Sequence, residues 1–554
     1  MSVAVNVAAR MVAYARAMPD QPAVVMPPRR GPFGQQATRS ISFRTLDQTS
    51  DNIARSLREW GVAPGTRLAL LVPPSIEFVT LVFALFKAGV VSILIDPGMG
   101  KRNLIDCLAA AEPEGFVTIP LVHAVRVAKR RRFPKSHYHV TVGRRWFWGG
   151  KTLDELQRRT WSGPELAQTK ADDPAAIIFT TGSTGPPKGV LYRHGNFDHQ
   201  VSQIQSHYAI EPGLVDLACF PLFGLFNAAM GVTTVIPDMD ASRPARVDPR
   251  KVIAAIESCH VTQSFGSPAV WNRVGAYCRE HDIRLPSLRR VFSAGAPVPP
   301  AVLETLQRVI ADDGLIFTPY GATEALPVAS ISSPEVLNET RHDWATGAGT
   351  CVGQKFSGIQ WRVIPIVDGP IASMNDVREL PQGEIGELIV RGAVVTREYV
   401  TRIESNATGK IIDGEAVWHR MGDVGYLDDR ERFWFCGRMA HRVVTSTGTL
   451  FTDPCEGIFN QHPRVFRSAL VGVGPRGNQT PAIVIEPRAG EWPTTEADRR
   501  TFMDELKSLG QNHAATRSIQ HFQFHKSFPV DIRHNSKIFR EKLAVWAAPF
   551  MVPR

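Results

Sequence analysis

The sequence predicts a mixed α/β protein built in layers, and three observations predict it. Short apolar runs alternate with longer helical patterns between residues 40 and 118, strands dominate from 358 to 435, and a shorter mixture of strands and helix begins near 437. With 554 residues, 44% of them hydrophobic, the chain can bury more than one core, and roughly two to four domains are expected from its length. The change of pattern places the boundary so that 1–436 form a large N-terminal domain and 437–554 a small C-terminal α+β domain.

The elements follow in order. Residues 1–18 read as an amphipathic first helix: Arg10 and Arg16 sit inside an Ala/Val pattern that lacks the apolar core and cleavage site of a secretory leader. A polar-faced helix is expected over 46–60, a strand over 67–72, a helix over 75–88 and a strand over 90–95. Pro73, Pro74, Glu77 and Lys87 interrupt the apolar run of 68–94, so it is not expected to span a membrane. Helix and strand repeat at 104–111 and 115–118, and a polar connection covers 161–173. Helices are expected over 196–208, 249–259, 269–280 and 300–312, with strands at 216–221, 233–237 and 288–293. Beyond the strand-rich stretch, strands at 468–473 and 482–486 accompany a helix at 496–509.

Composition narrows the class. Seven scattered cysteines, an odd number with no CxxC pair, indicate neither a disulfide framework nor a zinc site, and fit a reducing cytoplasm. The formal charge of +10 suits a phosphate-bearing substrate as well as it suits nucleic acid. One segment, 129–148, concentrates it: Lys129-Arg130-Arg131-Arg132 is followed by Arg144-Arg145-Trp146-Phe147-Trp148. A solvated loop, an anionic membrane surface and a protein partner all fit that mixture of basic and aromatic residues. No nucleic-acid-binding motif accompanies it, so no nucleic acid is expected.

Chemistry concentrates at Thr180-Thr181-Gly182-Ser183-Thr184-Gly185-Pro186-Pro187-Lys188, which follows the apolar strand 175–179. Hydroxyls, backbone amides and one cation can converge there on a polyphosphate, although a flexible surface turn has similar composition. The lysine stands outside the Gly-x4-Gly-Lys-Ser/Thr spacing of the nucleotide P-loop. Further on, Gly295-Ala296-Pro297 ends a strand and Tyr320-Gly321-Ala322-Thr323-Glu324 follows another. Taken alone, Glu324 fits either a helix cap or an Mg²⁺ ligand, since magnesium is held by one or two carboxylates plus phosphate oxygens. The Gly422-Asp423 pair of Met421-Gly422-Asp423 has the composition of a turn.

In this order these stretches, with Gly437-Arg438 and the terminal Asp531-Ile532-Arg533-His534-Asn535-Ser536-Lys537, closely resemble the motifs of the acyl-adenylate-forming superfamily across about residues 40–545. The resemblance implies a large domain of layered sheets and helices with a small mobile C-terminal domain. It implies ATP and Mg²⁺ as cofactors, bound by Thr180 to Gly185, Lys188, Gly295, Ala296, Pro297 and Gly321. Tyr320 would flank adenine, Thr323 bond phosphate, Glu324 hold the metal, Asp423 bond the ribose, and Arg438 contact ribose or phosphate. Lys537 would swing in to bind carboxylate and phosphate, making Lys537, Lys188, Thr323 and Glu324 the catalytic set.

Departures point to one branch. Pro221-Leu222-Phe223 is followed by Gly224, where acyl-CoA ligases usually carry histidine, and Ala440 stands where the hinge is usually aspartate or lysine. The glycine loop of the C-terminal domain is Thr445-Ser446-Thr447-Gly448-Thr449. With the stretches around Phe220–Phe226 and Tyr320–Pro327, these features look like the bacterial olefin-biosynthesis β-lactone synthetases. That likeness implies a long-chain 2-alkyl-3-hydroxy acid as substrate and other olefin-biosynthesis enzymes as partners. The scattered cysteines lead to the expectation of a cytoplasmic place, and the basic and aromatic segment 129–148 to that of peripheral contact with the inner membrane. A long-chain fatty acyl-CoA or acyl-AMP ligase is the second expectation. A nucleotide-binding pseudoenzyme scaffold is the third, opposed by retention of Lys188, Glu324, Asp423 and Lys537.

Overall fold

Two large sheets and the helices packed with them set the frame of the molecule. The computed structural model describes residues 4–31, 34–96, 99–159, 165–180, 186–220, 224–530 and 537–551. Helix Ile76–Lys87 is buried continuously from Phe78 to Lys87, as expected where apolar side chains cover the whole circumference. Ser75 caps its start by accepting the Phe78 N–H at 3.2 Å. Lys87, the charge that breaks the apolar run in the sequence, is fully buried and pairs with Asp47 and Asp51 at 2.5 and 2.6 Å on helix Phe43–Glu59. Removing one partner would strand a charge in the core. Among the described residues no helix is long and apolar enough to cross a membrane.

The seven-stranded sheet carries Arg67–Leu71 at its centre, with parallel neighbours Val91–Leu94 and Gly115–Thr118. Its one antiparallel pair joins Pro174–Phe179 to Gly189–Arg193. The nine-stranded sheet runs parallel through Val215–Ala218, Gln263–Gly266, Arg290–Ser293 and Leu315–Ala322, then turns back antiparallel in Ala325–Ser332. Parallel strands in a row require helical crossovers, and helices Pro249–Ser258, Pro268–Glu280 and Pro300–Gln307 supply them. The first large core joins helices Ala8–Ala17, Phe43–Glu59 and Ile76–Lys87 to side chains of both sheets, such as Val24 and Leu68.

A third sheet of six strands is wholly antiparallel and includes Gly386–Arg391, Ala416–Leu427 and Phe433–Arg438. The last sheet, Val465–Val473, Thr480–Pro487 and His521–Phe524, packs with helix Glu496–Gln511 around a core of its own. The boundary expected after residue 436 falls within strand Phe433–Arg438, whose Gly437 and Arg438 pair with Val424 and Asp423. The helix expected over 300–312 ends at Gln307. There the Leu285 N–H takes the Val309 carbonyl at 2.7 Å, and Leu285 forms an isolated bridge with Ile310. A tertiary pairing overrides the helical pattern at that point.

Asp216, on strand Val215–Ala218, is buried and accepts from Asn227 Nδ2 at 2.8 Å. Burial pushes its carboxyl from 3.8 up to about 7, against the hydrogen bonds from Asn227 and Gln263. Between those values the folded state holds a proton that the unfolded state has lost, so this group's contribution to stability falls as pH rises through the window. Asp216→Asn cannot ionise. Its melting temperature is expected to gain on that of the wild type as pH rises from about 4 to about 7, and a difference that stays flat with pH would refute the assignment.

Candidate active site

Thr180, Lys188, Gly295, Thr323, Glu324 and Arg438 stand where a strand ends or a hairpin turns, and Tyr320 and Asp423 lie within strands. Strand Pro174–Phe179 pairs with Gly189–Arg193 so that Phe179 faces Gly189, making 180–188 the connecting loop. The loop is closed at its neck. Thr180 N–H donates to the Lys188 carbonyl at 3.0 Å, and Lys188 N–H donates to Thr180 Oγ1 at 3.1 Å. Lys188 is therefore held at the base of the loop and not at its tip. The loop residues Thr181, Gly182, Ser183, Thr184 and Gly185 lie outside the described residues, as do Pro221 to Phe223 and Asp531 to Ser536.

Thr323 and Glu324 form the two-residue turn between strands Leu315–Ala322 and Ala325–Ser332, with Ala322 facing Ala325 across it. Backbone contacts fix the turn: the Thr323 carbonyl accepts from Tyr192 Oη at 2.5 Å, and the Glu324 carbonyl accepts from both the N–H and Oγ1 of Thr396 at 2.9 Å. The Glu324 carboxylate is held through one oxygen, Oε1, which accepts from Tyr399 Oη at 2.6 Å. At Gly321 an added Cβ would come within 2.7 Å of the Ala325 carbonyl, so the close approach of the two strands demands glycine there. Gly295 leaves strand Arg290–Ser293 with φ +98°, and with Ala296 and Pro297 it borders the same cavity.

Tyr399 joins the two charged groups of the site. Its hydroxyl meets Glu324, and Lys188 Nζ stands 4.8 Å from its ring centroid. Lys410 Nζ lies 5.6 Å from the same ring and donates to the Thr396 carbonyl. Burial lowers the Lys410 ammonium to about 7, with Glu324 and Glu398 opposing and Lys188 assisting that shift. Burial, and then the Glu324 carboxylate, hold the Tyr399 phenol far above its ordinary value, so it stays a donor. None of Tyr192, Thr396, Tyr399 and Lys410 belongs to a motif singled out in the sequence. Contacts at a separation of 75 residues, as between Tyr399 and Glu324, leave no local periodicity to read.

The third sheet supplies the other end. Register places Asp423 directly opposite Arg438, and Arg438 Nη1 donates to Asp423 Oδ1 at 2.7 Å and to the Met421 carbonyl at 3.1 Å. Tyr320 Oη donates to the other carboxylate oxygen at 2.5 Å. An ionised carboxylate has about four acceptor positions, so Asp423 retains capacity for a ligand's hydroxyls. The Asp423 charge holds the Arg438 guanidinium protonated, and Arg438 Nε is buried with no protein acceptor.

One cavity of about 1100 Å³ is lined by Thr180, Lys188, Tyr320, Glu324, Asp423 and Arg438, and Lys537 of the C-terminal part also borders it. Its apolar portion is walled by Phe83, Phe86, Phe197, Leu225 and Phe226. The volume exceeds the roughly 300–1,000 Å³ usual for one small ligand. It therefore has room for more than one small ligand. The C-terminal part docks through Thr350 Oγ1, which donates to Asp453 Oδ2 at 2.7 Å.

Among the described residues no cluster of three or more His, Cys, Asp or Glu could hold a metal by itself. The Glu324 carboxylate, with one oxygen committed to Tyr399 at the wall of a cavity that also carries Lys188 and Arg438, suits an ion that completes its shell with phosphate oxygens, as Mg²⁺ does. The residues fit that ion and a polyphosphate.

The hairpin residues Thr180 and Lys188, the turn carboxylate of Glu324 and the Asp423–Arg438 pair all border one cavity. The chain belongs to the AMP-binding enzyme family, whose model matches residues 12–400. It is 46% identical over 99% of its length to an olefin beta-lactone synthetase of Xanthomonas campestris pv. campestris, covering 98% of that protein. An olefin beta-lactone synthetase of Stenotrophomonas maltophilia is also 46% identical, with 98% of both chains covered. In structure it resembles an amide bond synthetase of Marinactinospora thermotolerans, with a TM-score of 0.77 at 21% identity, covering 98% of this chain and 99% of that one. It also resembles the o-succinylbenzoate CoA synthetase of Bacillus subtilis in complex with ATP and magnesium, with a TM-score of 0.72 at 19% identity, covering 96% and 98%. The expected acyl-adenylate-forming fold is thus borne out.

Arg438 depends on the glycine before it. Gly437 has φ +134°, and an added Cβ would stand 2.2 Å from Thr452 Oγ1 at the start of helix Thr452–Phe459. Gly65, at φ +86° with nothing within 4 Å, isolates the backbone cost alone, about 1–3 kcal/mol for a non-glycine residue. Gly437→Ala is expected to destabilise by clearly more than Gly65→Ala. Urea denaturation of the two variants decides it, equal losses showing that Thr452 moves aside freely.

Proposed function

We propose that this protein is an ATP-dependent β-lactone synthetase that adenylates a long-chain 2-alkyl-3-hydroxy acid and closes it to a β-lactone. In the first step the substrate carboxylate attacks the α-phosphorus of ATP and the bond to the bridging oxygen breaks, releasing pyrophosphate. In the second the 3-hydroxyl oxygen attacks the activated carbonyl, and AMP and a proton leave. Gly224 carries the lactone reading. An added Cβ there would lie 2.8 Å from Ala218 Cβ and 3.3 Å from Thr234 Cγ2, so the position has no room for a side chain without local movement. The relatives at 46% identity, which are olefin beta-lactone synthetases, support the same conclusion.

In this reading Thr180 to Gly185 and Thr323 receive the phosphates and Lys188 opposes their charge. Gly295 to Pro297 and Tyr320 enclose the adenine, Asp423 takes the ribose hydroxyls, and the unpartnered Arg438 Nε meets a ribose or phosphate oxygen. Glu324 would hold Mg²⁺ with its carboxylate, oriented by the Tyr399 hydroxyl. Bound there, the ion spreads the charge of the leaving pyrophosphate. Lys537 brings a cation to the carboxylate and phosphate as their charges approach, and the residues beyond strand Phe433–Arg438 move as a unit between the two steps. The apolar wall orders the alkyl chains and excludes water from the adenylate. Well-oriented intramolecular attack reaches effective molarities of about 10⁵ M or more, part of which offsets ring strain. A tethered hydroxyl needs no thiol. We place the protein in the cytoplasm, where its seven cysteines stay reduced, at the membrane face where such substrates partition; other olefin-biosynthesis enzymes are its partners.

Incubation with ATP, Mg²⁺ and a 2-alkyl-3-hydroxy acid is expected to yield AMP, pyrophosphate and the β-lactone at a rate indifferent to CoA. Formation of an acyl-CoA, with no lactone in its absence, would establish a ligase instead. Lys537→Ala is expected to slow pyrophosphate release by about a hundredfold or more while changing ATP affinity by less than about threefold, because its cation acts mainly as charge develops. Unchanged release would remove Lys537 from the mechanism. Glu324→Gln is expected to raise the Mg²⁺ concentration giving half-maximal pyrophosphate release, and an unaltered metal titration would remove Glu324 as ligand.

A further inference from the structure

Far along the chain from the residues of the cavity, the edge of the seven-stranded sheet carries a surface that the chemistry leaves unused. Its last strands are Tyr138–Thr141 and Lys151–Thr152, and helix Pro120–Ala128 leads into it from strand Gly115–Thr118. On that helix Leu121 and Val125, one turn apart, are 65% and 46% exposed. The loop between the last two strands adds Trp146 and Phe147 at 52% and 74% exposure.

The loop is built, not loose. Gly143 and Gly150 turn the chain at its ends with φ +97° and +101°, and a Cβ at Gly150 would meet the His139 carbonyl at 2.2 Å. Arg145 Nη1 donates to the Gly150 carbonyl. Between them Trp148 is buried, donating from Nε1 to Thr141 Oγ1 at 3.0 Å, and its ring lies 5.3 Å from that of His123 on the helix. Trp146 and Phe147 pack on Trp148 at 5.4 and 5.1 Å. The buried pin thus ties the two exposed aromatics to the helix bearing Leu121 and Val125. Phe133, buried against Phe116 at 5.0 Å, anchors the turn Arg130–Arg132 in the same way.

Charge separates into two sets. Arg132, Lys135 and Arg145 are matched by Asp106, Glu112 and Glu155 at 2.7, 2.8 and 3.6 Å. Lys129, Arg130, Arg131 and Arg144 are exposed and have no ion pair among the described residues. Unmatched cations beside exposed aromatic and aliphatic side chains are the composition of the headgroup boundary, where aromatic rings sit at the interface and basic residues face anionic lipid.

We propose that this edge docks the enzyme onto an anionic lipid bilayer, with Trp146 and Phe147 entering the headgroup region and the four unmatched cations facing its charge. The inference goes beyond the catalytic reading and is tested without catalysis. The full chain is sedimented with vesicles of phosphatidylcholine alone or with about a third phosphatidylglycerol, at low and high salt. Binding is expected only with the anionic lipid, weakened by salt, and with a blue shift of tryptophan emission. At about fivefold per cation, Arg130→Ser/Arg131→Ser/Arg144→Ser together lower partitioning by roughly a hundredfold. Trp146→Ser/Phe147→Ser abolishes the emission shift and weakens binding, and both variants keep the wild-type melting temperature. Failure of the wild type to bind anionic vesicles overturns the proposal, as does equal binding by the variants. So does loss of self-association or of capture of a purified partner enzyme in these variants with no vesicle binding in any of them, which would make the edge a protein interface.

Discussion

A single phenol holds the charged heart of this molecule in order. Tyr399 touches a carboxylate with its hydroxyl and two ammonium groups with its ring, so it sets Glu324 and Lys188 relative to each other without neutralising either. A direct Lys–Glu ion pair in its place would be stable by itself and would have to be broken before either charge could serve a ligand. The phenol avoids that: its hydrogen bond uses one carboxylate oxygen, and its ring attracts a cation through the weaker quadrupole field. The turn bearing Glu324 is immobilised independently through its carbonyls, by Tyr192 and Thr396. Geometry is therefore fixed by backbone contacts, and charge remains for use.

Buried polar groups elsewhere serve the same end. Arg420 and Glu387, 3% and 1% exposed, pair at 2.6 Å, and Arg420 also donates to the carbonyls of Val367 and Gly369 at 2.6 Å each. With so many of its donors satisfied, the pair locks strand Ala416–Leu427 to Gly386–Arg391 three residues before Asp423. Burying charge is costly unless every partner is present. The tie fixes one edge of strand Ala416–Leu427, whose other edge pairs with Phe433–Arg438 and brings Asp423 opposite Arg438.

The elements legible in the sequence were those whose periodicity and burial agree. The strands near 67 and 90 and the helix between them stand within a residue or two of expectation, because an unbroken apolar pattern there has one physical solution. The loop between Thr180 and Lys188 was legible as composition, while its closure by those two residues became visible only with the antiparallel pairing of its flanks. Tyr320 and Glu324 were legible through their resemblance to a family motif, but their placement in a strand and a two-residue turn was not, since Pro319 and Gly321 disguise a strand. Tyr399 and Lys410 were invisible. Nothing in a local window marks a tyrosine whose partners are Glu324 and Lys188, or a lysine whose neighbours exclude water.

The cavity wall draws on residues from Val7 to Arg540, so segments far apart in the chain contribute to one surface. In a chain growing from its N-terminus, the phosphate loop and the Glu324 turn emerge with Lys537 still unmade. The enclosing wall is complete only when synthesis is almost finished. Occupancy of this cavity therefore reports on the C-terminal part as well as the N-terminal one: a truncated or C-terminally misfolded chain loses part of the wall.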